Sequence, residues 1–187
     1  MNIYDKVFQH FPDFKIDYLP WSEIPRVRIL FSDENIVNVK KKKDFLLEKI
    51  LLQDDLNVLF LFWSSSDIEI SKKDVADIKT TGLDKFINTS ENQIFKLETN
   101  LFAHTYMTKI QLKDIIKYTD IIINNEVHEL PNTEQMDFTM FMFDDNFKYI
   151  VNIYSQEGID ISSYNKNILE GLYENFSNSY KILTDKY

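Results

Sequence analysis

The sequence predicts an α+β fold in one domain, residues 1–187, with a mainly antiparallel sheet and flanking helices. Three stretches carry that reading. Val58 to Trp63 is almost continuously apolar between Asp54-Asp55 and Ser64-Ser65-Ser66, the pattern of a central strand covered on both faces. Met136 to Phe143 and Phe147 to Tyr154 are two strand-length runs around Asp144-Asp145-Asn146, the pattern of a hairpin. Leu112, Ile115, Ile116, Thr119, Ile122 and Ile123 share one helical face, opposed by Lys113, Lys117, Asp120 and Asn124.

The remaining elements follow in chain order. Tyr4, Val7, Phe8 and Phe11 at i, i+3, i+4 and i+7 predict a short helix that Pro12 ends. After Pro20 and Pro25, Arg26 to Phe31 alternates as a strand with Arg26 and Arg28 on one side, where they are candidate partners for acidic residues. Val39, Leu46, Leu47 and Ile50 predict a helix over Ile36 to Leu52. Ser71 to Ile87 reads as one or two short helices, with Ser71 and Asp74 as an N-terminal cap and Gly82 as a break. Leu101 to Ile110 contains a strand, and Asn124 to Gln135, with Pro131, reads as a loop. Ser155 to Gly158 is a second turn, in which Gly158 is expected to take a positive φ, before a strand at Ile159 to Ile161. Ile168, Leu169, Leu172, Tyr173 and Phe176 close the chain as a helix capped by Asn167 and Glu170, with Gly171 inside it. No internal repeat interrupts the series.

Composition bounds the function. A chain of 187 residues folded as one domain buries roughly 70% of the surface its unfolded form exposes. With 44% hydrophobic residues and only 3 Gly and 4 Pro, it has the material for that core. No apolar stretch approaches the length of a membrane span, and Met1 to His10 reads as amphipathic and not as a secretion signal, so a cytoplasmic, membrane-free protein is expected. The absence of cysteine excludes disulfides, thiolate zinc sites and cysteine nucleophiles.

A net charge of −9 argues against nucleic acid as a partner, because phosphate binding needs a concentrated basic surface. The acidity is regional. Between Tyr118 and Asp160 nine acids (Asp120, Glu126, Glu129, Glu134, Asp137, Asp144, Asp145, Glu157, Asp160) face one base, Lys148, which accounts for eight of the nine net negative charges. Such a region is either a solubilising surface or a docking face for a basic partner.

The segment from Ile150 to Ile161, with Tyr154, Gly158 and Asp160, followed by Leu172-Tyr173-Glu174-Asn175-Phe176, resembles the C-terminal signature of a bacterial domain family with no assigned activity. There a strand ends in Tyr-Asp-Asp-Arg-Gly-x-Asp and leads to a helix containing Leu-Tyr-Glu. Arg28 after Trp21 and Pro25, and Asp54-Asp55 before Val58 to Phe62, are similar in kind, so the likeness spans most of the chain. Ser155, Gln156 and Glu157 replace Asp-Asp-Arg, which removes the arginine. The resemblance implies a bacterial origin and a shared fold, and it transfers no catalytic residue.

Motifs for chemistry are sparse. Gly82, Gly158 and Gly171 are too far apart to make a phosphate-cradling loop. His10, His104 and His128 have no metal-ligand spacing, although Glu126 and Glu129 beside His128 favour its protonation. Ser64-Ser65-Ser66 lacks the glycines that expose a nucleophilic serine, and Asp54-Asp55 and Asp144-Asp145 suit turns better than paired-carboxylate catalysis. Lys40 to Lys43 fans about 300° around a helix and is expected to form a solvated collar. No metal or cofactor is expected.

A binding role is therefore favoured over catalysis. Most concretely, the sequence suggests an immunity-type protein that neutralises a basic toxin through Glu129, Glu134, Asp137, Asp144, Asp145 and Glu157. The alternative is an enzyme whose site gathers Arg26, Arg28, His104, His128 and Asp160 from distant positions. A structural subunit would instead show a large apolar surface patch.

Overall fold

A computed structural model describes residues 2–14, 16, 23–32, 35–64, 78–79, 82–98, 101–127, 138–155 and 157–185. Its strands are β1 (Arg26–Leu30), β2 (Asp55–Ser64), β3 (Glu91–Glu98), β4 (Leu101–Gln111), β5 (Phe138–Phe143), β6 (Ile150–Ser155), β7 (Gly158–Ser162) and β8 (Lys181–Asp185). Its helices are α1 (Ile3–His10), α2 (Ile36–Ile50), α3 (Asp84–Ile87), α4 (Leu112–Val127) and α5 (Lys166–Phe176). The strands form one eight-stranded sheet in the order β3-β4-β2-β5-β6-β7-β1-β8, and every neighbouring pair is antiparallel. The α+β class read from the sequence is the class observed.

Strand β2 lies between β4 and β5, and Leu56 to Phe62 is buried throughout. Alternation sends its side chains to two different layers. Val58, Phe60 and Phe62 enter a core with Leu46 and Leu47 of α2, Ile115 and Tyr118 of α4, and Leu169 of α5. Leu59 and Leu61 enter a second core with Tyr4 and Val7 of α1, together with Phe11, Phe14 and Ile24. Each fully buried side chain of this size contributes about 1.5–3 kcal/mol. Tyr118 locks the larger layer: its ring stands edge-on to Phe60 and Phe86 at 5.9 and 5.8 Å, and its hydroxyl donates to the Gly82 carbonyl at 3.2 Å.

Local chemistry sets the element ends. In α1 the Asn2 side chain accepts from the Asp5 N–H at 2.7 Å while Asp5 accepts from the Asn2 N–H at 3.3 Å, a reciprocal cap. Asn35 caps α2 by accepting from the N–H of Val37 at 2.9 Å. The cap of helix α5 lies two residues before the expected one: Asn165, not Asn167, is the capping residue, and it accepts from the Asn167 N–H at 3.1 Å. Helix α4 runs to Val127, past the expected loop start at Asn124, because Asn costs a helix only fractions of a kcal/mol and does not break it.

Two sequence expectations need correction. Gly158 has no positive φ; among the described glycines only Gly82 does, at +78°. A Cβ on Gly158 would lie 2.5 Å from the Ile29 carbonyl oxygen, so glycine is needed there because β1 passes too close for any side chain. Likewise, Lys40 to Lys43 is not a uniformly solvated collar. Lys43 is completely buried between α2 and α4, where Nζ donates to Asp120 Oδ1 at 2.6 Å, the Ile116 carbonyl at 3.0 Å and Thr119 Oγ1 at 3.1 Å. Asp44 Oδ1 adds a second carboxylate at 2.6 Å. Buried charge is sustained only with such partners. Among the described residues no helix is long and apolar enough to cross a membrane.

The Ser71–Asp74 cap, Ser65, Ser66 and most of the Asn124 to Gln135 loop lie outside the described residues.

Candidate functional site

Arg26 and Arg28 are two residues apart on β1 and so share a face of the sheet, the face that α1 covers farther along. Arg28 stands opposite Asp160 of β7 and Leu183 of β8, and Arg26 stands opposite Asp185. Nε and Nη2 of Arg28 donate to the two carboxylate oxygens of Asp160 at 2.6 and 2.9 Å. Nε and Nη2 of Arg26 donate to Asp185 Oδ2 at 2.7 and 2.6 Å, and its Nη1 lies 3.5 Å from Asp160 Oδ2. Two guanidinium groups thus face two carboxylates. The sequence expectation that these arginines seek acidic partners is met by Asp160, itself one of the nine regional acids.

Arg26, Arg28 and Asp160 are therefore brought together, but His104 is not. On β4 it stands opposite Phe62 and Ile94, so its side chain projects toward the helical layer, away from the arginines. It also lies four strands from β7, about 19 Å at the usual strand spacing. His128 lies outside the described residues. With both oxygens of Asp160 bound to Arg28, the arrangement is a closed ion network and not an acid–base pair aimed at a substrate.

The acidic candidates separate into different places. Asp144 is only 3% exposed, and its carboxylate accepts from the N–H groups of Asn146 at 3.3 Å, Lys148, and Tyr149 at 3.3 Å. Its carbonyl accepts from the Phe147 N–H at 3.0 Å, and Phe147 takes a φ of +51°. Asp144 builds the turn, as the Asp-Asp pair suggested, and its oxygens do not face a partner. Asp145 points outward. It accepts from Lys109 Nζ at 2.8 Å and Asn57 Nδ2 at 3.4 Å.

Glu157 is exposed at the opposite end of β6, which separates it from Asp145 by about 20 Å of extended chain. Its carbonyl accepts from the Phe31 N–H at 2.8 Å. Glu129, Glu134 and Asp137 lie outside the described residues.

What stands beside Asp145 is the loop after α2. Gln53 Oε1 accepts from the Asp145 N–H at 3.1 Å, and the Tyr149 hydroxyl donates to the Ile50 carbonyl at 3.1 Å. These two bonds tie the 50–55 segment to the 144–149 turn. Burial, with Asp144 nearby, pushes the Tyr149 phenol up to about 12 and keeps it a donor. Asp54 and Asp55 are exposed on this end, and Leu52 is 83% exposed between the end of α2 and the two aspartates. Sequence reasoning passed over Leu52 as the last apolar residue of a helix. Its signal was its place shortly before Asp-Asp and after Leu51, which alone completes the buried face.

The arrangement is an exposed apolar side chain, Leu52, shortly before the exposed Asp54 and Asp55, on a loop that is fixed to the turn carrying Asp145. It offers contact and negative potential. Comparison with family models, with curated proteins and with solved structures finds no match to this chain.

Proposed function

We propose that the chain is a protein-binding module of the bacterial immunity type, which docks a basic protein, a toxin in the most concrete form, through its acidic end. The observation that carries the proposal is Leu52, exposed just before Asp54 and Asp55 on a loop that Gln53 and Tyr149 hold to the turn carrying Asp145. An apolar anchor with a charged rim is a common design of protein interfaces: the anchor supplies affinity and the rim steers approach. Lys109 offsets part of the charge at Asp145, so Asp54 and Asp55 carry most of the steering.

Of the acids named from the sequence, Asp145 stands on the turn tied to this loop and Glu157 lies at the opposite end of β6, while Glu129, Glu134 and Asp137 lie outside the described residues and are kept as candidate contacts for the same partner. Asp144 serves by shaping the turn. The bacterial assignment rests on the resemblance over Tyr154, Gly158 and Asp160 and on nothing catalytic.

The test is affinity capture on the purified chain at low and at physiological salt, followed by association kinetics with the captured protein. The partner is expected to be basic, and Asp54→Lys with Asp55→Lys is expected to slow association about tenfold at low salt and less at high salt, since the field fades over roughly 8 Å at physiological ionic strength. Leu52→Glu is expected to accelerate dissociation. A partner that binds with unchanged rates after all three substitutions would end the proposal.

A further inference from the structure

The sheet has two edges, β3 and β8, and they are built differently. Strand β3 carries an irregular register between Lys96 and Glu98 and has Glu91 and Glu98 at its ends. Bulges and charged side chains are among the means by which proteins keep an edge from pairing. Strand β8 has no irregular register, and its two charges, Lys181 and Asp185, stand at opposite ends with opposite sign. All five of its residues pair in unbroken register with β1 on one side, and Leu183 at its centre is 45% exposed.

The five residues Lys181-Ile182-Leu183-Thr184-Asp185 are also complementary to themselves when reversed. In an antiparallel pair centred on Leu183, Lys181 opposes Asp185 of a second copy, Ile182 opposes Thr184, and Leu183 opposes Leu183. Opposed residues in an antiparallel pair share a face, so the two Leu183 side chains and both Lys–Asp pairs fall together on the Arg26 and Arg28 face. Asp185 is already held in place there by Arg26 Nε and Nη2. Ile182, half-buried against the helical core, continues that layer on the other face.

We propose that β8 is a homodimerisation edge: two copies of the chain associate about a two-fold axis at Leu183 and join their sheets into one of sixteen strands. A pair of five-residue strands buries less than the roughly 1,000 Å² of a permanent interface, so the dimer is a weak, concentration-dependent one. This association uses a surface separate from Leu52 and Asp54.

The chain has no cysteine, so a single engineered thiol reports on the axis without background. Opposed Cα atoms in an antiparallel pair lie about 4.5–5.5 Å apart, within disulfide reach. Leu183→Cys is therefore expected to form a disulfide dimer under mild oxidation. Thr184→Cys, whose own copy would be displaced by about 8 Å, and Ile94→Cys on the β3 edge are expected to remain monomeric.

Sedimentation velocity of the unmodified chain is expected to show monomer passing to dimer as concentration rises toward about 1 mM. Lys181→Glu, which sets two carboxylates against one another at both ends of the paired strands, is expected to weaken association about tenfold. A wild-type chain monomeric throughout that range, a Leu183→Cys chain that cross-links no faster than Ile94→Cys, or a Lys181→Glu chain that dimerises like wild type would each overturn the proposal.

Discussion

Arg28 and Asp160 stand directly opposite one another on β1 and β7 and are joined by two parallel hydrogen bonds of 2.6 and 2.9 Å. The pair sits where strands distant in sequence meet, so it fixes a long-range register as well as a charge. Asp160 is buried and each arginine is mostly buried, so removing the shared carboxylate leaves two cations poorly solvated. Asp160→Asn is expected to cost about 2–4 kcal/mol in urea unfolding, slightly less than a fully buried pair because water reaches the guanidinium groups. A loss under about 0.5 kcal/mol would mean that the network does not hold the sheet.

Alkaline pH is expected to weaken the fold through its buried tyrosines. Tyr118 and Tyr149 are each pushed up to about 12, chiefly by burial, and Tyr4 and Tyr106 are raised by burial as well. The unfolded chain releases phenolic protons near pH 10 while the folded chain still holds them. Stability is therefore whole below about pH 10 and falls between about 10 and 12. Urea midpoints at neutral pH and near pH 11, with phenolate absorbance followed in parallel, check this. Tyr149→Phe should lose about 1 kcal/mol at neutral pH with its bond to Ile50, and should lose less on going to pH 11.

The two glycines of the C-terminal third are expected to respond in opposite directions. Gly171 lies inside α5, and a methyl group added to it would meet nothing within 4 Å, so Gly171→Ala should stabilise by up to about 1 kcal/mol. At Gly158 the same methyl would press on the Ile29 carbonyl at 2.5 Å, and β1 must shift to admit it. Gly158→Ala should therefore destabilise by about 2 kcal/mol or more in thermal or urea unfolding.

These cases show which features a single sequence reveals. Val58 to Phe62 and the hairpin around Asp144 were legible because apolar runs bounded by turn residues report local burial. Strands β3 and β8 went unread, since Glu91–Glu98 and Lys181–Asp185 are edge segments with mixed, half-exposed side chains and little alternation. The insertion of β1 between β7 and β8 depends on long-range pairing that no local pattern records.

Lys43 did leave a signal. It lies on the stripe of Val39, Leu46, Leu47 and Ile50, the buried face of α2, so helical spacing pointed inward where the lysine run pointed outward. Gly158 was misread because turn chemistry and close strand passage both require glycine, and only the structure separates them. At the candidate site, Asp145 was named from charge alone, whereas Leu52 needed the geometry that leaves it uncovered.

The neighbouring acids Asp144 and Asp145 are expected to separate folding from binding. The Asp144 carboxylate satisfies the N–H groups of Asn146, Lys148 and Tyr149, in a turn where water has little access to it. Asp144→Ala leaves those donors short of acceptors and frees a turn that also carries Phe147 at positive φ, so a loss of about 2 kcal/mol is expected. Asp145 is nearly half exposed, and its pair with Lys109 is a surface one that contributes no more than about 1 kcal/mol. Asp145→Lys should therefore leave the urea midpoint almost unchanged while reducing the association rate with a basic partner in a salt-dependent way. If Asp145→Lys destabilises as much as Asp144→Ala, the turn needs both acids and the acidic end loses its claim as a docking site. If neither substitution changes stability, the capping role of Asp144 is wrong. If only Asp144→Ala unfolds the turn and only Asp145→Lys slows association, one acid builds the loop and the next one presents its charge.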